Sequence, residues 1–261
     1  MNKETVSSGR TLAHQRQAII LKHVREKGVV SIAEMARLFQ VSRETIRRDL
    51  KVLADGDALN LVHGGAARFE DEEPALSFRQ GENAAGKAAI GTFAASLVSD
   101  GMVVLLDSGT TALAVANGLK ERRSLTVFTP SLTIAQLLCR QPEIRVHMPG
   151  GEIDPREEAI GGIDALRGIS ALRVDMAFIG AGSLTTDGAV TDFTRLGAET
   201  RSAMIDMAQK AYFILDSSKF GRLTPMRIRD AERAAGVIVD RKPDAQTLRA
   251  LKEQGLDLIV A

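Results

Sequence analysis

Hydrophobic residues near the start of the chain recur with the period of an amphipathic helix. They occupy positions i, i+3, i+4 and i+7 of one segment and are Ile32, Met35, Ala36 and Phe39. This spacing places all four side chains on one helical face. Ser31 and Glu34 form a capping box, in which the serine hydroxyl accepts from a backbone amide, so the helix is expected to begin at this serine.

A second helix is predicted directly afterwards. Gln40 and Val41 interrupt the first pattern, and Ser42 is a second N-cap candidate. The apolar residues that then share a face are Ile46, Leu50 and Leu53. The residues left pointing outward are Arg43, Glu44, Arg47, Arg48 and Lys51. The pattern is that of a helix, a tight turn and a basic helix.

The flanking segments extend this pattern. Residues 12–27 predict a first helix that stops at Gly28. After a turn signal at residues 55–57, residues 58–68 hold a short apolar run and His63-Gly64-Gly65, which fits a small β-hairpin. Either helix alone would also fit an ordinary solvated amphipathic helix. The caps, the turn, the basic face and the hairpin in this order favour a winged helix-turn-helix.

The rest of the chain alternates apolar runs with helical patterns. The candidate strands are residues 102–107, 125–128, 145–148, 176–180, 211–216, 237–239 and 258–260. This alternation predicts an α/β domain with a mostly parallel, Rossmann-like sheet. An acidic segment that ends in proline lies before it, so the expected division is a head at 1–68, a linker at 69–83 and the α/β domain at 84–261.

The loops after the strands are the candidate ligand sites, because ligands of such sheets bind beyond the carboxyl ends of the strands. Asp107-Ser108-Gly109-Thr110-Thr111 opens a helix and offers amides and hydroxyls to an anion, but it lacks the lysine of a nucleotide P-loop. The other candidates are Thr129, Ser131, Gly150, Gly151 and Lys219, with Asp192 as an acceptor for sugar hydroxyls. Each of them, taken singly, also fits a tight connection or a surface charge.

Charge is unevenly distributed along a chain whose net charge is only +1. Residues 1–68 contain 12 Lys and Arg against 7 Asp and Glu, a net +5, whereas the remainder contains 22 against 26, a net −4. A basic end of this kind fits a polyanion such as DNA. We also expect a cytoplasmic protein, since no apolar run has the length of a membrane span and no signal peptide is evident.

The single cysteine, Cys139, excludes an internal disulfide and a cysteine-cluster metal site. We expect its side chain to be buried as a small apolar residue. No cofactor, metal or catalytic residue is expected.

Residues 30–36, 41–50 and 63–66 closely resemble the DeoR-family signature. The resemblance implies that the helix after Ser42 enters the major groove of double-stranded operator DNA. The expected DNA-contacting residues are Ser31, Ser42, Arg43, Thr45, Arg47, Arg48, Lys51 and His63. Which of them read bases and which contact phosphates stays open. The chain departs from the family at Leu61, where an arginine is common.

The second half also resembles this family, in its sensor domain. The residues that carry the resemblance are Asp107 to Thr111, Gly150, Gly151, Gly180, Gly182, Asp192, Glu199 and Asp216 to Lys219. The resemblance implies a fold similar to ribose-phosphate isomerase and glucosamine-phosphate deaminase, and a bound sugar phosphate that lowers operator affinity. The protein is thus expected to repress a carbohydrate or polyol catabolic operon. Pro130 departs from the asparagine usual in this loop.

Two alternatives remain at this stage. One is an isomerase or deaminase with an added DNA-binding head, in which Asp107, Asp192 or Lys219 would act in acid-base roles. The other is an activator with the same DNA contacts. Because winged-helix repressors bind repeated half-sites, a homodimer or homotetramer is expected, and no contact with membranes.

Overall fold

The computed structural model describes residues 13–27, 29–55, 59–62, 64–67 and 73–261. The chain divides into two compact units, Met1–Phe69 and Glu70–Ala261. Across the described residues, no helix is both long and apolar enough to cross a membrane.

The first unit is a winged helix-turn-helix. Its elements are α1 (Ala13–Lys27), β1 (Val29–Ser31), α2 (Ile32–Phe39), α3 (Arg43–Asp55), β2 (Asn60–Val62) and β3 (Gly65–Ala67). The strands β2 and β3 form the expected hairpin, and β3 also pairs with β1, a strand that the hydrophobic pattern does not predict. The core contains the apolar stripes of the three helices, including Ile20, Met35, Ile46 and Leu50, which are fully buried.

The second unit is a three-layer α/β domain. Its helices are α4 (Leu76–Arg79), α5 (Ala84–Ser96), α6 (Thr110–Gly118), α7 (Leu132–Leu138), α8 (Gly162–Ser170), α9 (Arg195–Met207) and α10 (Ala245–Glu253). The strands are β4 (Val103–Leu106), β5 (Leu125–Phe128), β6 (Ile144–His147), β7 (Glu152–Asp154), β8 (Ala159–Gly161), β9 (Val174–Ile179), β10 (Ser183–Leu184), β11 (Val190–Asp192), β12 (Ala208–Leu215), β13 (Met226–Arg227), β14 (Gly236–Val239) and β15 (Leu258–Val260).

The main sheet has the order β15-β14-β12-β9-β4-β5-β6, and every neighbouring pair within this part of the described chain is parallel. Alternate residues of each strand pack into two separate hydrophobic cores, one on each face of the sheet. Thus Val104 and Phe178 pack with α5, α6 and α7, whereas Leu105 and Ile179 pack with α8, α9 and α10. Both faces are buried, which explains why the strands read as continuous apolar runs.

The order of the strands reverses between β4 and β9. From β4 the chain proceeds through β5 and β6 to one edge, and from β9 it proceeds through β12, β14 and β15 to the other. A crevice beyond the carboxyl ends of two such strands is the usual ligand position in open α/β sheets. The loops after Leu106 and Ile179 therefore border the expected ligand position.

Three features of this unit differ from the expectations. The described residues from Glu73 onward belong to the second unit, and α4 lies within the segment 69–83 that was expected to be a linker. The hairpin of β7 and β8 and the small sheet of β10, β11 and β13 were not predicted, because their strands have two or three residues. Cys139 is exposed, not buried, because it is the C-cap residue of α7 and lies off its apolar face.

Candidate functional site

The helix α3 presents a basic surface. Its exposed positively charged residues are Arg43, Arg47, Arg48 and Lys51, which lie opposite the buried stripe of Ile46, Leu50 and Leu53. Glu44 forms i+3 and i+4 ion pairs with Arg47 and Arg48, at 3.3 and 3.9 Å. Exposed helical pairs of this kind contribute only about 0.2–0.5 kcal/mol, so both arginines can leave them for a phosphate or a base.

The N-terminus of α3 is fixed by hydroxyl groups. The Thr45 amide donates to Ser42 Oγ at 3.1 Å, and the two side-chain oxygens are 2.9 Å apart. Ser31 caps α2 in the same way, since its Oγ accepts from the Glu34 amide at 3.1 Å. These bonds confirm both predicted caps. They also place the hydroxyls of three predicted DNA-contacting residues at the starts of the two helices.

A buried ion pair fixes α3 against α1. Arg16 Nε donates to Asp49 Oδ2 at 2.5 Å, and Gln17 Nε2 donates to Asp49 Oδ1 at 3.1 Å. Asp49 lies within the basic stretch of the sequence, but its side chain points inward.

In the wing, Leu61 is exposed in β2. The predicted contact His63 lies outside the described residues.

In the second unit, a cavity of about 680 Å³ opens beyond the carboxyl ends of the sheet. It is lined by Ser108 after β4, by the β7–β8 hairpin, and by Asp192 and the first turns of α9. Its charged lining residues include Glu73, Asp107, Arg156, Glu157, Asp192 and Arg201. The cavity therefore lies at the reversal of strand order and carries both acidic and basic groups.

Arg201 forms ion pairs with two carboxylates that were predicted from the sequence to bind the effector. Its Nε lies 3.1 Å from Asp107 Oδ2, its Nη1 lies 3.0 Å from Asp192 Oδ2, and its Nε also donates to the Gly180 carbonyl at 2.9 Å. Asp107 in turn accepts from the Ser108 amide at 2.8 Å and the Gly180 amide at 3.0 Å. Burial raises the pKa of Asp107 although Arg201 opposes this shift.

A second ion cluster lies beside the first. Arg79 Nη1 donates to Glu73 Oε1 at 2.9 Å, Arg79 Nη2 donates to Glu157 Oε2 at 2.5 Å, and Lys219 Nζ donates to Glu73 Oε1 at 2.8 Å. Burial raises the pKa of Glu157, helped by the nearby Glu73. Burial also acts to raise the pKa of Glu73, but Lys219 and Arg79 outweigh it, so that pKa is lowered and the carboxylate is ionised.

Asn83 holds the loop that carries Lys219. Its Nδ2 donates to Asp216 Oδ1 at 3.1 Å and to Asp240 Oδ2 at 2.9 Å, and so joins the ends of β12 and β14. Asp216 Oδ1 also accepts from the Ser218 amide at 3.0 Å, which caps the short 3₁₀ turn. Lys219 is thereby directed to Glu73.

The predicted effector residues divide into two groups. Asp107, Ser108 and Asp192 line the cavity. Those outside its lining are Gly109, Thr110, Thr111, Thr129, Ser131, Gly150, Gly151 and Lys219. Thr129 and Ser131 are fully buried in a local network, in which Ser131 Oγ accepts from the Ile134 amide and caps α7. Pro130, the departure from the family loop, does line the cavity.

The residues of the site that were not predicted from the sequence are Glu73, Arg79, Arg156, Glu157 and Arg201. A signal for Arg201 was present, because it lies three residues after Ala198 and four before Ile205, on the apolar face of α9. A charge at such a position requires a buried partner. Glu73 and Arg79 were hidden by their place in a segment that reads as a linker.

Gly109 shapes the first loop. Its backbone has φ +104° and ψ 173°, a region open essentially to glycine alone, and it caps α6. Gly109→Ala should lower the free energy of unfolding by about 1–3 kcal/mol because an alanine is strained in this conformation. Urea unfolding followed by the fluorescence of Tyr212 measures this, since the chain has one tyrosine, in the second unit, and no tryptophan.

The matched control for that substitution is Gly81→Ala. A Cβ at Gly81 meets no atom within 4 Å, and its φ is not in the left-handed region. This variant should unfold at or above the urea midpoint of the unchanged protein. Equal midpoints for the two variants would contradict the assignment of backbone strain to Gly109.

A winged helix-turn-helix with an exposed basic helix, joined to an α/β unit whose cavity is lined by acidic and basic residues, defines a transcriptional regulator with a DNA-binding head and a sensor domain. The DeoR-like helix-turn-helix domain matches residues 16–72, and the DeoR C terminal sensor domain matches residues 82–241. The chain belongs to the DeoR family of transcriptional regulators.

Full-length relatives agree with this assignment. The chain is 30% identical over 245 residues to the glycerol-3-phosphate regulon repressor of Escherichia coli K12, covering 94% of this chain and 97% of the relative. It is also 30% identical over 249 residues to the HTH-type transcriptional regulator GolR of Listeria innocua, covering 95% and 98%. A ribose 5-phosphate isomerase of Methanocaldococcus jannaschii is similar at 21% identity and a TM-score of 0.37, over 53% of this chain and 55% of that one.

The family assignment excludes the alternative of an enzyme with an added DNA-binding head. The protein is a DNA-binding regulator and not an enzyme, since both family matches and the named relatives are regulatory. The three residues considered for acid-base chemistry have other partners. Asp107 and Asp192 bind Arg201, and Lys219 binds Glu73.

Proposed function

We propose that this protein represses a carbohydrate or polyol catabolic operon and is released from its operator by a phosphorylated sugar-type effector. The observation that carries this proposal is the mixed-charge cavity at the reversal of strand order. Its volume of about 680 Å³ falls within the usual range for small-molecule sites. The name of the Escherichia coli relative, a glycerol-3-phosphate regulon repressor, supports an effector of this class.

The chemistry of the lining supports a polyol with an anionic group. Carboxylates such as Asp107 and Asp192 accept hydrogen bonds from hydroxyls, and the Ser108 hydroxyl can donate or accept. Arg201 holds both carboxylates in place through its ion pairs, which orients them toward a ligand without further rearrangement. Arg156, exposed at the hairpin, adds a positive charge to the lining.

The operator is proposed to bind α3 and the wing. In this proposal the positive charge comes from Arg43, Arg47, Arg48 and Lys51, and the hydroxyls at the helix starts come from Ser31, Ser42 and Thr45. His63 is a further contact predicted from the sequence. Two heads on repeated half-sites require at least a dimer, which we propose to form through the second unit, as a homodimer or homotetramer.

Release follows from linkage between the two sites. A ligand that prefers the arrangement with low operator affinity must weaken DNA binding by the factor by which DNA weakens the ligand. A coupling free energy of about 1–3 kcal/mol corresponds to roughly 5- to 150-fold in operator affinity.

A panel of sugar phosphates and the matching free sugars tests the proposal. One phosphorylated member should raise the melting temperature of the full-length protein, because a ligand bound to the folded state stabilises it by about 2.7 kcal/mol at 100 times its Kd. The same compound should release operator DNA in a fluorescence anisotropy assay, and its free sugar should not. Release by a free sugar alone, or by no member of a broad panel, would contradict the proposed effector class.

A further inference from the structure

The carboxylate of Glu73 separates the cavity from two buried cations. Glu73 lines the cavity, whereas its partners Arg79 and Lys219 are absent from the lining. The side chains of Arg79 and Lys219 are only 6% and 9% exposed. A single oxygen, Glu73 Oε1, accepts from both cations, at 2.9 and 2.8 Å. Removal of this carboxylate would open the two cations to the cavity.

The start of α6 lies beside one of these cations, Arg79. A Cβ built on Gly109, the N-cap residue of α6, would lie 3.6 Å from Arg79 Nη1. The first amides of a helix have no partner within the helix and favour an anion. An arginine fork and a lysine ammonium therefore meet at Glu73 Oε1, and the N-terminus of α6 lies next to the arginine. This combination of donors binds phosphate.

We propose that Arg79 and Lys219 form the subsite for the phosphate group of the effector, and that Glu73 fills this subsite as an internal anion until the effector displaces it. The inference rests on the proposed function and extends it to a phosphomonoester bound in a defined place. The remainder of the effector then lies in the cavity beside Ser108 and Asp192.

Electrostatics explains why this arrangement distinguishes a phosphorylated ligand from a neutral one. Glu73 is an ionised carboxylate with charge −1, held by two charge-assisted hydrogen bonds. A phosphomonoester carries about −1.5 to −2 and three acceptor oxygens near neutral pH, so it can replace the carboxylate. A free sugar offers only hydroxyls, which cannot replace the negative charge that Glu73 supplies to Arg79 and Lys219.

The decisive variant is Glu73→Gln, assayed with inorganic phosphate as the probe. The glutamine keeps the size of the side chain but removes its charge, so phosphate no longer competes with an ion. Phosphate binding, measured by calorimetry on the full-length protein, should tighten by at least about tenfold, since a hydrogen bond to a charged group contributes on that order. The control Asp206→Asn neutralises a carboxylate of the exposed pair with Arg233 and should leave phosphate affinity unchanged.

Two further variants complete the test. Glu73→Asp keeps the charge on a shorter side chain, and its phosphate affinity should lie between those of the unchanged protein and Glu73→Gln; it also serves if Glu73→Gln does not fold. Lys219→Ala added to Glu73→Gln should abolish the gain. Equal phosphate affinity in the unchanged protein, Glu73→Gln, Glu73→Asp and Asp206→Asn would overturn the inference.

A separate measurement, the release of operator DNA by a sugar phosphate, tests the proposed function. With a sugar phosphate that releases the operator from the unchanged protein, the half-releasing concentration should fall in Glu73→Gln by the factor found for phosphate. If that compound releases both proteins at the same concentration, the proposed function stands and the displacement of Glu73 is rejected. If no sugar phosphate releases the operator from either protein, the proposed function itself fails.

Discussion

Replacement of Arg47 and Arg48 together by alanine should weaken operator binding by about 100-fold, with the sensor domain unaffected. A base-edge contact by arginine contributes roughly 1–3 kcal/mol, and 1.4 kcal/mol corresponds to tenfold, so two lost contacts give a loss of this size. The side chains are 61% and 80% exposed, so their removal leaves the core of the head intact.

The salt dependence of the single variants separates the two roles left open by the sequence. Loss of a phosphate contact reduces the slope of log affinity against log salt by about 0.9 and weakens all duplexes alike. Loss of a base contact leaves the slope nearly unchanged and relaxes preference at one base pair. Anisotropy titrations at several salt concentrations, with operator and random duplex, measure both quantities.

A control for lost charge is the pair Arg167→Ala and Arg249→Ala. Both arginines are exposed on the second unit, so the double variant has the same net charge as the α3 variant. Operator affinity should change little in it. If the two double variants bind the operator equally well, α3 is not the recognition helix.

Arg201→Ala should lower the free energy of unfolding of the sensor domain by about 3–5 kcal/mol. The substitution leaves Asp107 and Asp192 as buried carboxylates without their cation, and breaking a buried pair on one side has a cost of this size. Urea unfolding followed by Tyr212 fluorescence isolates this effect, because the tyrosine lies in β12 and reports on the sensor domain only.

The unfolding free energy lost in Arg201→Ala should increase as the pH rises. Burial already raises the pKa of Asp107 above its ordinary value of 3.8, and removal of Arg201 raises it further. A carboxyl whose folded-state pKa exceeds its unfolded value binds more protons when folded, so stability falls as the pH rises through that interval. The deficit of Arg201→Ala relative to the unchanged protein should therefore be larger at pH 8 than at pH 5.

Arg233→Ala is the matched control for this prediction. It also removes an arginine from an aspartate pair, but both side chains are about half exposed. Surface pairs contribute roughly 0–1 kcal/mol, so the urea midpoint should move little at either pH. A similar small change in Arg201→Ala would show that Arg201 does not compensate buried charge.

The elements that the sequence predicted best are those fixed by local chemistry. Ser31 and Ser42 cap their helices as expected, since a hydroxyl three residues before a free amide needs no distant partner. The seven strands of the main sheet were also predicted, because burial on both faces makes each an unbroken apolar run. Their ends differ from the prediction by up to three residues.

Parts of the candidate site depend on contacts that no local pattern contains. Arg79 and Glu157 are 78 residues apart in the chain, and Glu73 and Lys219 are 146 apart. Each looks like a surface charge in its own segment. Asp107 was predicted from its place after a strand, but the partners of Glu73 and Arg79 lie in distant segments of the chain. Only the folded chain brings those charges together.

The exposed thiol of Cys139 makes the assembly of this protein directly measurable. Because the chain has one cysteine, a maleimide dye attaches at a single position on the sensor domain, near the end of α7. Subunits labelled separately with a donor and an acceptor dye would transfer energy after mixing only if chains associate and exchange. Neither an engineered cysteine nor the removal of a native one is needed for that measurement.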